Sequence, residues 1–324
     1  MDHTYDAQRV LSVQSHVVHG HVGNKSATFP LQLLGFHVDP LNTVQFSNHT
    51  GYAKFTGERL EGTQIDALVE GLEANGIFAS YSHLLTGYLG RPSILEAVVR
   101  LARKLKAVKP SLLFLMDPVL GDDNKLYVPK ELVKMYRDIL APLADVVTPN
   151  GFEASLLTDT AVISRETAAV ALEQLHALGP HTAIITSTDL GNPEAEQLTL
   201  FASHAPSRTR FCIEFPKLKG SFTGTGDLFA ALVLARLSER DEIGTCPDLK
   251  SMQGGERVVQ ACELVVSTMQ QVLSYTMQRM EARGEANGAS EGRGAQNMRF
   301  RELCVIECRK FIENPHVAFK AVRF

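Results

Sequence analysis

The stretch Gly224-Thr225-Gly226-Asp227 opens an apolar, helix-patterned segment from Leu228 to Leu237. A helix start carries peptide N–H groups without intrahelical partners, and the macrodipole adds positive potential, so phosphate oxygens bind there readily. The glycines let the backbone turn tightly and approach a ligand closely. An aspartate at this point would repel a phosphate, but it suits a different task. It could accept the proton of a hydroxyl that attacks the phosphate. A capped helix start, with Asp227 merely complementing the dipole, accounts for the same residues equally well.

Other polar groups could join it. Asp117-Pro-Val-Leu-Gly-Asp122 places two carboxylates at a strand exit, and Asn150-Gly-Phe-Glu153 does the same one strand later, at a helix start. Clustered hard oxygen ligands with room for water suit Mg²⁺ carried by substrate phosphates. Each piece alone reads as a cap or turn; their recurrence at one sheet edge favours a shared site. Phe46-Ser-Asn-His-Thr50-Gly-Tyr52 and Ser15-His16 set hydroxyls and imidazoles beside aromatics, which suits a ring-shaped substrate bearing hydroxyls. Taken alone they are turn residues. Gly20-His-Val-Gly23-Asn24-Lys25-Ser26 fails as a P-loop, because the glycine spacing is wrong and Asn24 separates Gly23 from Lys25. No GxGxxG follows a predicted strand, which weakens a dinucleotide-binding reading.

The elements that must position these groups alternate in type. Val10–Val13, Leu112–Met116, Asp145–Thr148 and Thr182–Ile185 read as buried strands, each ending in polar or Gly/Pro residues. Helical patterns such as Ile94–Leu105 and Thr167–Leu178 lie between them. This predicts a mostly parallel central sheet flanked by helices on both faces, with ligands gathered at the carboxyl ends of the strands. Apolar positions from Val258 to Met280 at helical spacing predict one long helix. The small, polar tract Arg283–Ala295 then predicts a flexible insertion, near 283–297, and Leu303–Ile306 a closing strand. With no repeat and no dividing linker, residues 1–324 read as a single α/β domain.

Composition agrees with an ordinary globular protein: 44% hydrophobic, 21% charged. A net charge of −4 is too mild to suggest a nucleic-acid or membrane surface. The first residues, MDHTYDAQRV, lack a signal-peptide core, and the longest apolar run, Leu228–Ala235, is a buried helix face. Five cysteines without a CxxC pair read as core or surface thiols, and the expected location is the cytoplasm.

In order along most of the chain, several strings resemble the pyridoxal kinase family of the ribokinase-like superfamily. They include Val10-Leu-Ser-Val-Gln-Ser-His-Val17, Val44-Gln-Phe-Ser-Asn-His-Thr-Gly-Tyr52, Leu85-Thr-Gly-Tyr88, Asp117-Pro-Val-Leu-Gly-Asp122, Thr148-Pro-Asn150 and Gly224-Thr-Gly-Asp-Leu-Phe-Ala-Ala231. The string from Val44 to Tyr52 is distinctive for this family; GTGD marks only the superfamily. The resemblance implies transfer of the ATP γ-phosphate to the 5′-hydroxymethyl group of pyridoxal, pyridoxine or pyridoxamine. It implies that Ser15 and Thr50 hydrogen-bond the ring heteroatoms while Val22 and Tyr88 sandwich the ring faces. Asp117, Asp122, Asn150 and Glu153 would organise Mg²⁺ and phosphate-bound water, and Tyr127, Thr148, Thr186 and Ser187 would line the nucleotide side. Gly224, Thr225 and Gly226 would form the anion hole, with Asp227 as base. The family resemblance also carries a homodimer and a K⁺ requirement. The segment Gly121–Tyr127 is shorter than the ATP-covering loop of some relatives. Two alternatives stand beside this reading: a kinase for another ring alcohol, such as a hydroxymethylpyrimidine or a sugar, and a silent B6-binding protein.

Overall fold

Neighbouring residues on each central strand bury their side chains in opposite cores. Leu11, Leu84, Phe114, Val147 and Ala183 enter one apolar cluster, while Val10, Leu85, Leu115, Val146 and Ile184 enter another. A strand apolar on both faces demands a helical layer on each side. The structure, a computed structural model, describes residues 8–122, 124–220, 222–238, 254–286 and 295–324.

The chain begins with β1 (Arg9–Val17), α1 (Asn24–Leu33), β2 (His37–Phe46), β3 (Gly57–Arg59), α2 (Gly62–Ala74), β4 (His83–Thr86), α3 (Pro92–Val108) and β5 (Leu113–Met116). A small hairpin, β6 (Gly121–Asp122) and β7 (Lys125–Leu126), leads to α4 (Lys130–Met135), β8 (Val146–Val147), α5 (Gly151–Thr158), α6 (Arg165–Ala177) and β9 (Thr182–Thr188). Then follow β10 (Gln197–His204), β11 (Thr209–Pro216), α7 (Thr225–Leu237), α8 (Gly255–Ala286), α9 (Arg309–Glu313) and β12 (Val322–Arg323). The main sheet runs β12-β11-β10-β9-β8-β5-β4-β1-β2-β3. Its middle, from β2 to β9, is parallel throughout, and antiparallel strands close both edges. Helices α2, α3, α5 and α6 supply the first core, and α1, α7, α8 and α9 the second. The expected α/β architecture is therefore what the chain adopts.

Two expectations need correction. Leu303–Ile306 is not a strand: Leu303, Cys304 and Val305 are buried where an irregular stretch enters a turn, and the Cys304 N–H donates to Thr276 Oγ1 at 3.1 Å. An apolar run can fill a core without a ladder partner, and β12 takes the free edge of β11 instead. The tract from Arg283 begins as helix, because α8 continues through Ala286. Extending an established helix costs far less than nucleating one, so weak helix formers are carried along. Ala295–Phe300 forms a short 3₁₀ helix, and residues 287–294 lie outside the described residues. Cys212, Cys262, Cys304 and Cys308 are buried thiols in the core. Among the described residues no helix is long and apolar enough to cross a membrane.

Candidate active site

Parallel strands bring their carboxyl ends to one edge, where β1, β4, β5, β8 and β9 release loops side by side. The N-terminus of α7 points into the same edge. Helix α7 is apolar all round, with every residue from Leu228 to Arg236 buried, so packing fixes where its first turn lies. Gly224 caps it at φ +85°, and a side chain there would overlap the His21 carbonyl. The loop after β1 is thus pressed against the helix start. Ser26 Oγ donates to the Gly224 carbonyl at 3.0 Å, and the Gly23 N–H donates to Asp227 Oδ2 at 2.7 Å. Asp227 is not simply a dipole complement on a capped helix. It is held by a backbone amide 204 residues away.

Burial raises the Asp227 carboxyl above the usual carboxylate range, with the Gly23 amide opposing. Asp117, just past β5, is buried and stands across from Gly226. Its Oδ2 and the buried hydroxyl of Thr148, at the end of β8, have no partner of ordinary hydrogen-bond geometry, although the Thr148 hydroxyl is near enough to the Asp117 carboxyl to lower it slightly. Burial, then the charges of Glu153 and Asp227, push Asp117 well above the ordinary range. Glu153 is committed differently. Its Oε1 accepts N–H groups of Leu120 (2.8 Å) and Gly121 (3.3 Å), and its Oε2 accepts that of Asn150 (2.9 Å). In return the Glu153 N–H donates to Asn150 Oδ1, a capping box at the start of α5. Burial lifts Glu153 to about 7 against those amides, with Asp122 adding to the rise. Glu153 is therefore a loop anchor as much as a source of charge.

The remaining expected residues fall around this centre. Gly23 packs on Ser15, and Val22 and Tyr88 share a small apolar cluster with Val17, Val44 and Phe46. Asp122 lies in the β6–β7 hairpin, and Tyr127 at its end is 57% exposed. Thr186 and Ser187 sit on β9, where the Thr186 N–H reaches the Pro149 carbonyl at 2.8 Å. Thr225 and Gly226 form the first turn of α7. Thr50 lies on an exposed turn beyond β2. The sequence reading did not find the Gly23 amide as the partner of Asp227, nor Tyr136, buried within reach of the charges on Asp117 and Glu153. The Gly23-Asn24 helix start was the available signal for the first; nothing marked the second.

The phosphomethylpyrimidine kinase family model matches residues 60–246. The chain is 43% identical to the pyridoxal kinase of Arabidopsis thaliana, over 98% of this chain and 96% of that one. It is 39% identical to the human pyridoxal kinase over 97% of both chains. The chain belongs to the pyridoxal kinase family. The structure of the Leishmania donovani pyridoxal kinase in complex with ADP and pyridoxamine is similar at a TM-score of 0.83 and 32% identity, covering 98% of this chain and 99% of that one.

Proposed function

We propose that this chain transfers the γ-phosphoryl group of ATP to the 5′-hydroxymethyl group of pyridoxal, and also of pyridoxine and pyridoxamine. Family membership supports the reaction class, and the Leishmania donovani relative holds ADP and pyridoxamine in the same fold. The observation that carries the mechanism is the Gly23–Asp227 bond at the head of α7, which places a carboxylate of raised proton affinity beside an anion-binding helix start.

With Oδ2 held by the Gly23 amide, Asp227 keeps Oδ1 to take the hydroxyl proton. The substrate oxygen forms its bond to the γ-phosphorus as the bond to the bridging oxygen breaks, and ADP leaves. In a loose transition state the proton departs late, so the base need not be strong. Amides at Gly224, Thr225 and Gly226 face the transferring group as the anion hole. Ser15 and Thr50 bond the vitamin ring, Val22 and Tyr88 hold its faces, and Tyr127, Thr148, Asn150, Thr186 and Ser187 line the nucleotide.

The donor set fits Mg²⁺: a buried, unpartnered Asp117 oxygen flanked by carboxylates is costly unless a cation answers it. Among the described residues no three acidic, His or Cys side chains converge into a cage, so Asp117, Asp122 and Glu153 would act on a metal carried by the nucleotide, largely through water. Mg²⁺ there would neutralise charge on the transferring phosphoryl group. A K⁺ activator and a homodimer follow the family resemblance, and the composition and cysteine usage support a cytoplasmic setting. ADP release measured with pyridoxal, a hydroxymethylpyrimidine and a sugar as acceptors tests the reading. Pyridoxal should lead by at least about tenfold in kcat/KM, a difference of about 1.4 kcal/mol in transition-state binding. A preference for another acceptor, or no turnover at all, would refute it.

A further inference from the structure

In the C-terminal segment, Glu302 ties two distant loops to its own stretch of chain. Its Oε1 accepts the Tyr52 hydroxyl at 2.9 Å and lies 3.3 Å from His49 Nε2; its Oε2 accepts the His21 N–H at 2.9 Å. The side chain is 12% exposed and that of His49 6%, so these bonds form away from bulk water. The His49 ring is oriented from its other side, where the Gly51 N–H donates to Nδ1 at 3.1 Å. That assigns the ring proton to Nε2, aimed at Glu302. The carboxylate also packs on Gly20, in space that any larger residue there would fill. Burial would raise Glu302, but His49, the His21 amide and Tyr52 outweigh it and hold the group below its ordinary value. Glu302 is therefore a charged clamp with its bonds satisfied.

The clamped segments are the two loops expected to frame the acceptor ring. His21 precedes Val22, and His49 and Tyr52 bracket Thr50. We infer that Glu302 is a positioning residue for the acceptor ring, fixing the 20–22 loop and the 48–52 turn relative to each other from the C-terminal segment. The inference rests on the kinase reading above, because that reading places Val22 and Thr50 at the ring. Its bonds run to His21, His49 and Tyr52 and not to Asp227 itself; because His21 shares its loop with the Gly23 amide that holds Asp227, the split between pyridoxal KM and kcat is what separates ring positioning from placement of the base.

The test is steady-state kinetics on E302Q and Y52F with pyridoxal and ATP varied in turn, beside thermal melts. E302Q should raise the pyridoxal KM about tenfold, leaving kcat and the ATP KM within about twofold. Y52F should shift the pyridoxal KM in the same direction by less. The Y52F/E302Q pair should do no worse than E302Q alone, because the tyrosine acts through the carboxylate. An unmoved pyridoxal KM in E302Q, or equal rises for both substrates, would overturn the inference. If E302Q does not fold, an unchanged pyridoxal KM in Y52F overturns it. Should the wild type prefer another ring alcohol, the kinase reading fails on substrate, and the same KM split with that alcohol still decides the role of Glu302. Should it turn over nothing, pyridoxal absorbance titrations of wild type and Y52F decide it.

Discussion

Replacing Asp227 with Asn separates the proton acceptor from everything else that the residue does. The Asn carbonyl oxygen can take the Gly23 N–H that Oδ2 now accepts at 2.7 Å, so the link between the β1 loop and α7 persists. The neutral amide also escapes the burial that disfavours the charged carboxylate. Folding and pyridoxal affinity should therefore hold. The lost function is proton acceptance in the transition state, worth about 10²–10⁴ in kcat, or about 3–5 kcal/mol of barrier. ADP release at saturating ATP and pyridoxal measures this directly. The pH dependence adds a second check. Burial raises Asp227, so the wild-type kcat should climb with pH along an acid limb lying above the ordinary carboxylate range, as Asp227 gives up its proton. In D227N that limb should flatten. A variant keeping more than about a tenth of wild-type kcat, with the acid limb intact, would remove the base role from Asp227.

Asp117→Asn should raise the Mg²⁺ concentration needed for half-maximal rate, and an unchanged Mg²⁺ response would refute the metal assignment. The same variant should melt higher than wild type by a margin that grows with pH. A raised folded pKa means stability is lost as pH rises above the unfolded value, and Asn abolishes that loss; a pH-independent margin in melts at two pH values would contradict the burial effect. Ser15→Ala should raise the pyridoxal KM by about 5- to 150-fold, the equivalent of about 1–3 kcal/mol, with the ATP KM unmoved; a shift confined to ATP would place Ser15 on the wrong side of the cleft. Gly23 sits at φ +53°, and a Cβ there would overlap the Ser15 carbonyl, so Gly23→Ala should cost more activity than Ser15→Ala; near wild-type kinetics would argue against the close approach.

The central strands were legible because burial on both faces leaves short, nearly continuous apolar runs, as in Leu112–Met116 and Thr182–Ile185. The register partner β2 was not read as a strand, since Asp39, Pro40, Asn42 and Thr43 interrupt its pattern. Tertiary partners absorb that polarity: Arg9 and the Tyr81 hydroxyl bond Asp39. The Leu303–Ile306 error has the same origin, because apolar composition reports burial and not ladder pairing. The site divides likewise. Gly224–Asp227 and Asn150–Glu153 are local, and their spacing shows in the chain; the Asp227–Gly23 and Glu302–His21 bonds span 204 and 281 residues and leave no periodic trace.

An anion-binding helix start faced by acidic side chains looks self-defeating, and the assignment of bonds explains how it can work. Glu153 spends its charge on three backbone amides, so it fixes the Leu120–Gly121 turn against α5 and stays tolerable in burial. Asp227 spends one oxygen on the Gly23 amide, which would leave the other to take a proton. Asp117 alone has a buried oxygen with no hydrogen-bond partner, set between the other two in charge and raised by both. That unanswered oxygen costs stability in the ligand-free protein. On the kinase reading, a cation carried by the nucleotide would recover that cost, since any species that binds only the folded state and lowers those carboxyls stabilises it by linkage. The arrangement would then couple nucleotide entry to the readying of Asp227. Because the charges of Asp117 and Asp227 act on each other, a cation that answered Asp117 would favour the charged, proton-accepting form of Asp227.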